Sequence, residues 1–244
     1  MYNYKLTIQY DGTDYNGWQS QPDGNTIQDK LINAIEKITQ TKINLIGSGR
    51  TDAGVHALGQ VANFKIEDQL DIFKFKHALN SLLESTIAVK KIEKVDENFH
   101  SRFDAKKRSY FYLISKNKNP FYFKYSYNYH SLNKVNVSQL NRISKAFLGE
   151  HDFTSFCKKK TETENKVCNI KDVRWRETKD FFIFKIEADR FLHGMVRTIV
   201  GTILQTAIKK LDVDFISEII KLQNRDSSGE SVSAKGLFLF KVKY

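Results

Sequence analysis

Cysteine is scarce: the 244-residue chain has two, Cys157 and Cys168. Two thiols cannot frame a disulfide scaffold, and neither lies in a CxxC pair of the kind that serves metal or redox sites. They are read as reduced side chains without a role. Long apolar runs are missing too; no window approaches the roughly 18 residues that a membrane span needs. Met1 leads straight into the alternating stretch YNYKLTIQYDG, without a charged segment followed by an apolar one. The closing FKVKY carries no prenylation signal. A cytoplasmic protein is expected. Acidic residues are outnumbered, 28 against 39 Lys and Arg, for a formal net charge of +11. Such a surplus commonly serves a polyanionic partner, most often nucleic acid, although solubility alone is also compatible with it. A hydrophobic share of 41% and a charged share of 27% are those of a globular chain with a sizeable core.

Periodicity supplies the outline. Tyr4, Leu6, Ile8 and Tyr10 alternate with Lys5, Thr7 and Gln9, which predicts a half-buried strand. A turn-rich loop follows, and then Thr26 caps a helix with Ile27, Leu31, Ile35 and Ile38 on one face. Strands are expected at 42–46 and 59–66, a helix through Ile72, Phe75, Leu79 and Leu82, and an extended TIAVKKIEKV. The order then roughly repeats: strand RSYFYLIS, a helix through Leu140, Ile143 and Phe147, paired strands KDVRWRE and FFIFKIEA, a long apolar helix from near Phe191, another helix at 213–222, and a closing strand KGLFLFKVKY. Strands joined by short turns imply α+β with mostly antiparallel sheet. No low-complexity linker separates the halves; a boundary falls within 105–130, giving subdomains 1–105, with the glycine loop, and 106–244, with the long apolar helix and the closing strand.

The stretch GSGRTDAGVHALGQ, residues 47–60, crowds four glycines around Arg50, Thr51 and Asp52. It is not a P-loop, because Val55 and His56 follow where Lys and Ser or Thr are needed. Asp52 occupies the third glycine position of a dinucleotide fingerprint, and Ser48 lacks the GxSxG context of a hydrolase. What remains is a loop between strands presenting Arg50 and one carboxylate, Asp52, on backbone that a bulky ligand can approach. An aspartate in such a loop can also be a turn former bonded to nearby backbone.

Six blocks in order carry a resemblance over nearly the whole chain: YDGTDYNGWQSQPDGNTIQDKL, GRTDAGVHALGQVANF, FHSRFDAKKRSYFYLI, GEHDFTSF, DRFLHGMVRTIVGTIL and KGLFLFKVKY. Together they resemble the bacterial tRNA pseudouridine synthase A family. The resemblance implies two similar ferredoxin- or RRM-like α/β subdomains with a catalytic cleft between them. It also implies a homodimer, and cofactor-free isomerisation of uridine to pseudouridine at positions 38–40 of the tRNA anticodon stem-loop. Ribosomal RNA is the alternative substrate, and a non-catalytic RNA-binding module the alternative outside enzymes. A metal-dependent nuclease is disfavoured because no acidic cluster surrounds Asp52.

By the same resemblance Asp52 is the nucleophile and Arg197, in MVR, its partner. The aspartate attacks either the ribose C1′ or the base. A carboxylate can form a covalent adduct, steady positive charge developing on the sugar, and leave again. An arginine on an apolar helix needs a carboxylate partner, which another acid could also supply. Tyr110 corresponds to the family's base-stacking tyrosine, with Tyr112 on the same strand face the residue most easily confused with it. Leu237 corresponds to a position lining the base pocket, and Arg50 to one that fills the space left by an extruded base. Core packing is the alternative for Tyr110 and Leu237, and a loop salt bridge for Arg50. Lysines 106, 107, 158, 159 and 160, with Arg102 and Arg108, are candidate phosphate contacts; the run at 158–160 is equally read as a solvated loop. His56, His100, His151 and His193 lack metal-ligand spacing, so no metal is expected. HGMVR, KVCNIKDV and the proline-poor stretch before KGLFLF depart from the usual family wording, and these departures leave Asp52, Arg50, Tyr110 and Arg197 themselves in place.

Overall fold

A computed structural model describes residues 1–22, 24–129, 131, 135–159 and 163–244. The regular elements are β1 (Tyr2–Tyr10), α1 (Ile27–Thr39), β2 (Ile46–Gly47), β3 (His56–Ile66), α2 (Ile72–Leu82), β4 (Ile87–Val95), β5 (Lys107–Ser115), β6 (Tyr127–Asn128), α3 (Val137–Ser144), β7 (Gly149–Asp152), β8 (Val167–Glu177), β9 (Phe181–Ala188), α4 (Met195–Ile208), α5 (Val213–Leu222) and β10 (Leu237–Lys243). The fold is mixed α/β with mostly antiparallel pairing, as the pattern implies. It divides into two compact units, Met1–Lys106 with Phe238–Tyr244, and Lys107–Leu237.

In the first unit β1 lies between β3 and β4, antiparallel to both, with Leu6 opposite Ala62 on one side and Ile92 on the other. Strand, helix, hairpin, helix and strand follow one another in a split βαβ order. The alternating set Tyr4, Leu6, Ile8 and Tyr10 is buried. So are Ile27, Leu31 and Ile35 of α1 and Phe75 and Leu79 of α2, and the two helices pack together. Thr26 caps α1, its Oγ1 accepting the Asp29 amide at 3.2 Å. The strand expected at 42–46 is confined to Ile46–Gly47, and β3 begins three residues early, at His56. From Phe238 the closing strand groups with this unit rather than with the second, because it pairs in parallel with β3, Phe238 opposite His56 and Leu239 opposite Ala57.

In the second unit β9 lies between β5 and β8, and β7 extends the antiparallel sheet beyond β8. Tyr110 and Tyr112 face Ile186 and Phe184 across β9. Helices α3, α4 and α5 pack on one another, and Phe147, Phe153 and Phe156 form a ring cluster beside them with centroids 5.2–6.4 Å apart. Each such fully buried ring is worth about 1.5–3 kcal/mol over leaving it in water. Helix α4 is buried over most of its length, and its threonine hydroxyls bond within the helix, Thr202 to the Thr198 carbonyl and Thr206 to that of Thr202, both at 2.8 Å. It starts at Met195 rather than near Phe191, because Gly194 takes φ +73° and interrupts the helix there.

Candidate active site

The glycine loop leaves β2 and returns into β3, and its base is tied before its tip is shaped. The Ser48 amide donates to the Val61 carbonyl at 2.7 Å, and its hydroxyl to Gln60 Oε1 at 2.7 Å. Gln60 Nε2 in turn donates to the Gly49 carbonyl at 2.9 Å. Both side chains are buried, where such bonds cost most to lose. Farther along, Thr51 shares a 2.8 Å hydroxyl bond with Tyr10, and its carbonyl accepts the Trp18 amide at 3.1 Å.

The turn-rich loop after β1 supports this loop from behind through two glycines. At Gly17 φ is +90°, and a Cβ there would lie 2.5 Å from the Thr51 carbonyl oxygen. At Gly12 a Cβ would run into the Val55 carbonyl. Only glycine lets the two backbones approach so closely. Asp52 then opens a tight turn: the Val55 amide donates to the Asp52 carbonyl at 3.1 Å, with Gly54 at φ +75° in the third position. The turn is closed by buried His56, whose Nδ1 accepts the Gly12 amide at 3.1 Å and lies 3.1 Å from Asp11 Oδ1. Its ring stacks on Phe238 at 4.6 Å. Asp52 therefore stands half-buried on a corner held by the backbone bonds at Thr51 and Val55 and by the side chains of Tyr10 and His56. Sequence reasoning misses Tyr10, Gly12, Gly17, His56 and Gln60 as supports; the paired glycines of YDGTDYNGW are the signal that could have found them.

Within the second unit, Arg197 is the third residue of α4, in a first turn that contains no acid. A cation at this end opposes the helix dipole by about 0.3–1 kcal/mol, so the position suits anion binding rather than helix stability. The side chain is half-buried, and its Nε donates to the Val232 carbonyl at 2.8 Å. Tyr110 packs edge-on against Phe191, centroids 5.1 Å apart. Tyr112, two residues on, has a different environment. Its hydroxyl donates to the Ser233 carbonyl at 2.7 Å, and burial drives its pKa far above that of an ordinary phenol. Leu237 is buried where β10 begins.

Arg50 is exposed and forms no ion pair among the described residues; its Nε donates to Gln19 Oε1 at 3.3 Å. Of the candidate phosphate contacts, Lys106, Lys158 and Arg102 are exposed, and the Arg102 guanidinium lies over the Phe103 ring at 5.6 Å. Lys107 pairs with Glu187 at 3.3 Å, Lys159 with Asp226 at 2.8 Å, and Arg108 Nη1 donates to the Asp189 carbonyl at 2.9 Å. Lys160 lies outside the described residues.

An antiparallel α+β scaffold here holds one carboxylate, Asp52, on a braced loop, and the sequence comparisons show the family to which the chain belongs. Residues 6–104 and 143–244 match the family model described as tRNA pseudouridine synthase, and the chain belongs to that family. Arg50, Asp52, Arg197 and Leu237 fall in the matched stretches, and Tyr110 between them. The tRNA pseudouridine synthase A of Bacillus subtilis (strain 168) is 40% identical over 242 residues, 98% of each chain. That of Caldicellulosiruptor saccharolyticus is 41% identical over 244 residues, covering both chains completely, and that of Bacteroides fragilis 41% over 243 residues, 99% of this chain and 96% of the other. Among solved structures, a Cbf5-Nop10-Gar1 complex aligns with TM-score 0.39 at 12% identity over 82% of this chain and 44% of that one, too slight a likeness to bear on the site.

Proposed function

We propose that this chain isomerises uridine to pseudouridine in the anticodon stem-loop of tRNA, at positions 38–40, with Asp52 as nucleophile. The observation that carries this reading is the rigid corner under Asp52, braced by Gly12, Gly17 and the bond between Thr51 and Tyr10. A nucleophile must meet its target from a fixed point, since small misplacements cost large factors in rate.

The reaction breaks the bond between C1′ and N1, turns the base, and joins C1′ to C5. C5 loses its proton and N1 gains one, so product and substrate have the same composition and no oxidant, reductant or cofactor is consumed. Asp52 attacks the sugar or the base and leaves again. Arg197 keeps a carboxylate ionised in a site that excludes water, and it is suited to this as a permanent cation. Tyr110 stacks on the base and Leu237 lines its pocket. A paired uridine must leave its stem at a cost of a few kcal/mol, and Arg50 takes the vacated space and contacts the backbone. The surplus of 39 basic over 28 acidic residues suits the RNA. The proposal extends to a cytoplasmic homodimer.

Mapping pseudouridine in total RNA from cells with and without this protein tests the reading. It predicts loss confined to tRNA anticodon stem-loops. Loss confined to ribosomal RNA gives the same chemistry another substrate, and no loss anywhere contradicts catalysis.

A further inference from the structure

The second unit carries an open pocket of about 230 Å³ between the turn that holds Thr154 and Lys159 and the turn at Gln223–Asp226. Among the described residues, four cations line it, Lys158, Lys159, Lys166 and Arg225, against one acid, Asp226. That acid is matched by Lys159 at 2.8 Å. Lys158 and Lys166 have no ion pair among the described residues. Arg225 is held by neutral acceptors: its Nη1 donates to Ser228 Oγ at 2.8 Å and to the Gly229 carbonyl at 3.1 Å. The guanidinium is thus held by neutral acceptors and has no ion pair among the described residues.

The floor is stitched. Ser155 Oγ donates to the Ile219 carbonyl at 2.6 Å and accepts the Asn224 amide at 3.0 Å, and Ser228 Oγ donates to the Ser155 carbonyl at 2.6 Å. Like charges gathered on a rigid floor repel one another until an anion enters, so this surface gains from binding one. Among the described residues no aromatic side chain lines the pocket, so none of them offers a base a ring to stack on. An open, cationic cup without a stacking surface suits a phosphodiester whose chain continues on both sides, and not a nucleotide bound by its base.

We infer that this pocket binds one phosphate of the substrate RNA backbone, an inference that rests on the RNA-modifying role proposed above. Arg225 also reaches Ser231 Oγ at 3.4 Å; that hydroxyl bonds Thr198 Oγ1 at 2.7 Å, one residue beyond Arg197. The anchored phosphate and Arg197 are therefore tied through one short segment, which fixes the RNA in register with the helix that carries Arg197.

The test is equilibrium binding of a tRNA transcript across a salt series, with the unaltered chain, with Lys158→Gln/Lys166→Gln, and with a control that removes equal charge from exposed sites outside the pocket, Lys171→Gln/Lys179→Gln. The pocket variant should bind about five- to tenfold more weakly, with the slope of log affinity against log salt shallower by roughly 0.7–0.9 in all, the change expected for losing one phosphate contact. The control should match the unaltered chain. A pocket variant with unchanged affinity and slope, or a control that loses as much, overturns the pocket while leaving the parent reading intact if the unaltered chain forms pseudouridine. Failure of the unaltered chain to bind or modify tRNA overturns both.

Discussion

Arg197 and Val232 hold each other twice: Arg197 Nε donates to the Val232 carbonyl at 2.8 Å, and the Val232 amide donates to the Arg197 carbonyl at 3.3 Å. The root of the guanidinium is thereby fixed to a second segment as well as to its own helix. That segment lies close along α4, since a Cβ on Gly201 would run into the Glu230 carbonyl, and the Gly229 amide donates to Thr202 Oγ1 at 2.9 Å. Arg197→Lys keeps the charge and loses the Nε donor and the planar fork. Turnover should fall by about 10²–10³, the usual cost of removing one aimed electrostatic group. The melting temperature should stay within a few degrees. Rate and melting curves on the same preparation check this.

Gly17→Ala tests the brace under the glycine loop. The new methyl group must accept φ +90° and a 2.5 Å approach to the Thr51 carbonyl. Strain of this kind costs on the order of 1–3 kcal/mol. Chemical denaturation should show that loss, and turnover should fall further than the unfolded fraction explains, because the turn that carries Asp52 has moved.

Much of this is legible in the sequence, and the misses have physical causes. Ile27, Leu31 and Ile35 after Thr26 specify α1, because a cap and a helical stripe agree. The apolar pattern starts α4 four residues too early, since Phe191 and Leu192 continue the run while Gly194 breaks the backbone without altering it. Strand β7, Gly149–Asp152, is missed because GEHD has no alternation to reveal it. Period-two spacing cannot separate Tyr110 from Tyr112, since both point to one face; the Ser233 carbonyl separates them, and it lies 121 residues away in the chain. The roles of Gln60 and His56 rest on partners distant in sequence in the same way.

Substituting the two tyrosines should separate their effects. Tyr112→Phe strands the Ser233 carbonyl and should cost about 1–3 kcal/mol of stability with turnover per folded molecule near normal. Tyr110→Phe should retain RNA affinity, since a phenyl ring keeps the proposed stacking on the base, whereas Tyr110→Ala should lose about 1–3 kcal/mol of binding. Denaturation and binding measurements on the three variants check this.

Alkali should destabilise the fold through two buried groups. Burial raises the Cys168 thiol from 9.0 to about 12. It also raises the Tyr15 hydroxyl from 10.0 to about 12, with Glu84 adding to the shift. Both folded-state values lie above the unfolded ones, so this stabilisation is complete below about pH 9 and is lost as pH rises toward 12. Denaturation at stepped pH should show stability falling across that interval. At about pH 8 a thiol reagent should leave Cys168 unlabelled until the chain is unfolded.

Asp52→Asn goes most directly to the chemistry, because it removes the proposed nucleophile and keeps the shape of the turn. Pseudouridine formation in a tRNA transcript, measured under single-turnover conditions beside the equilibrium dissociation constant, should fall to background while affinity stays within a few-fold of the unaltered chain. Undiminished isomerisation by the asparagine variant would contradict the assignment of Asp52 as nucleophile.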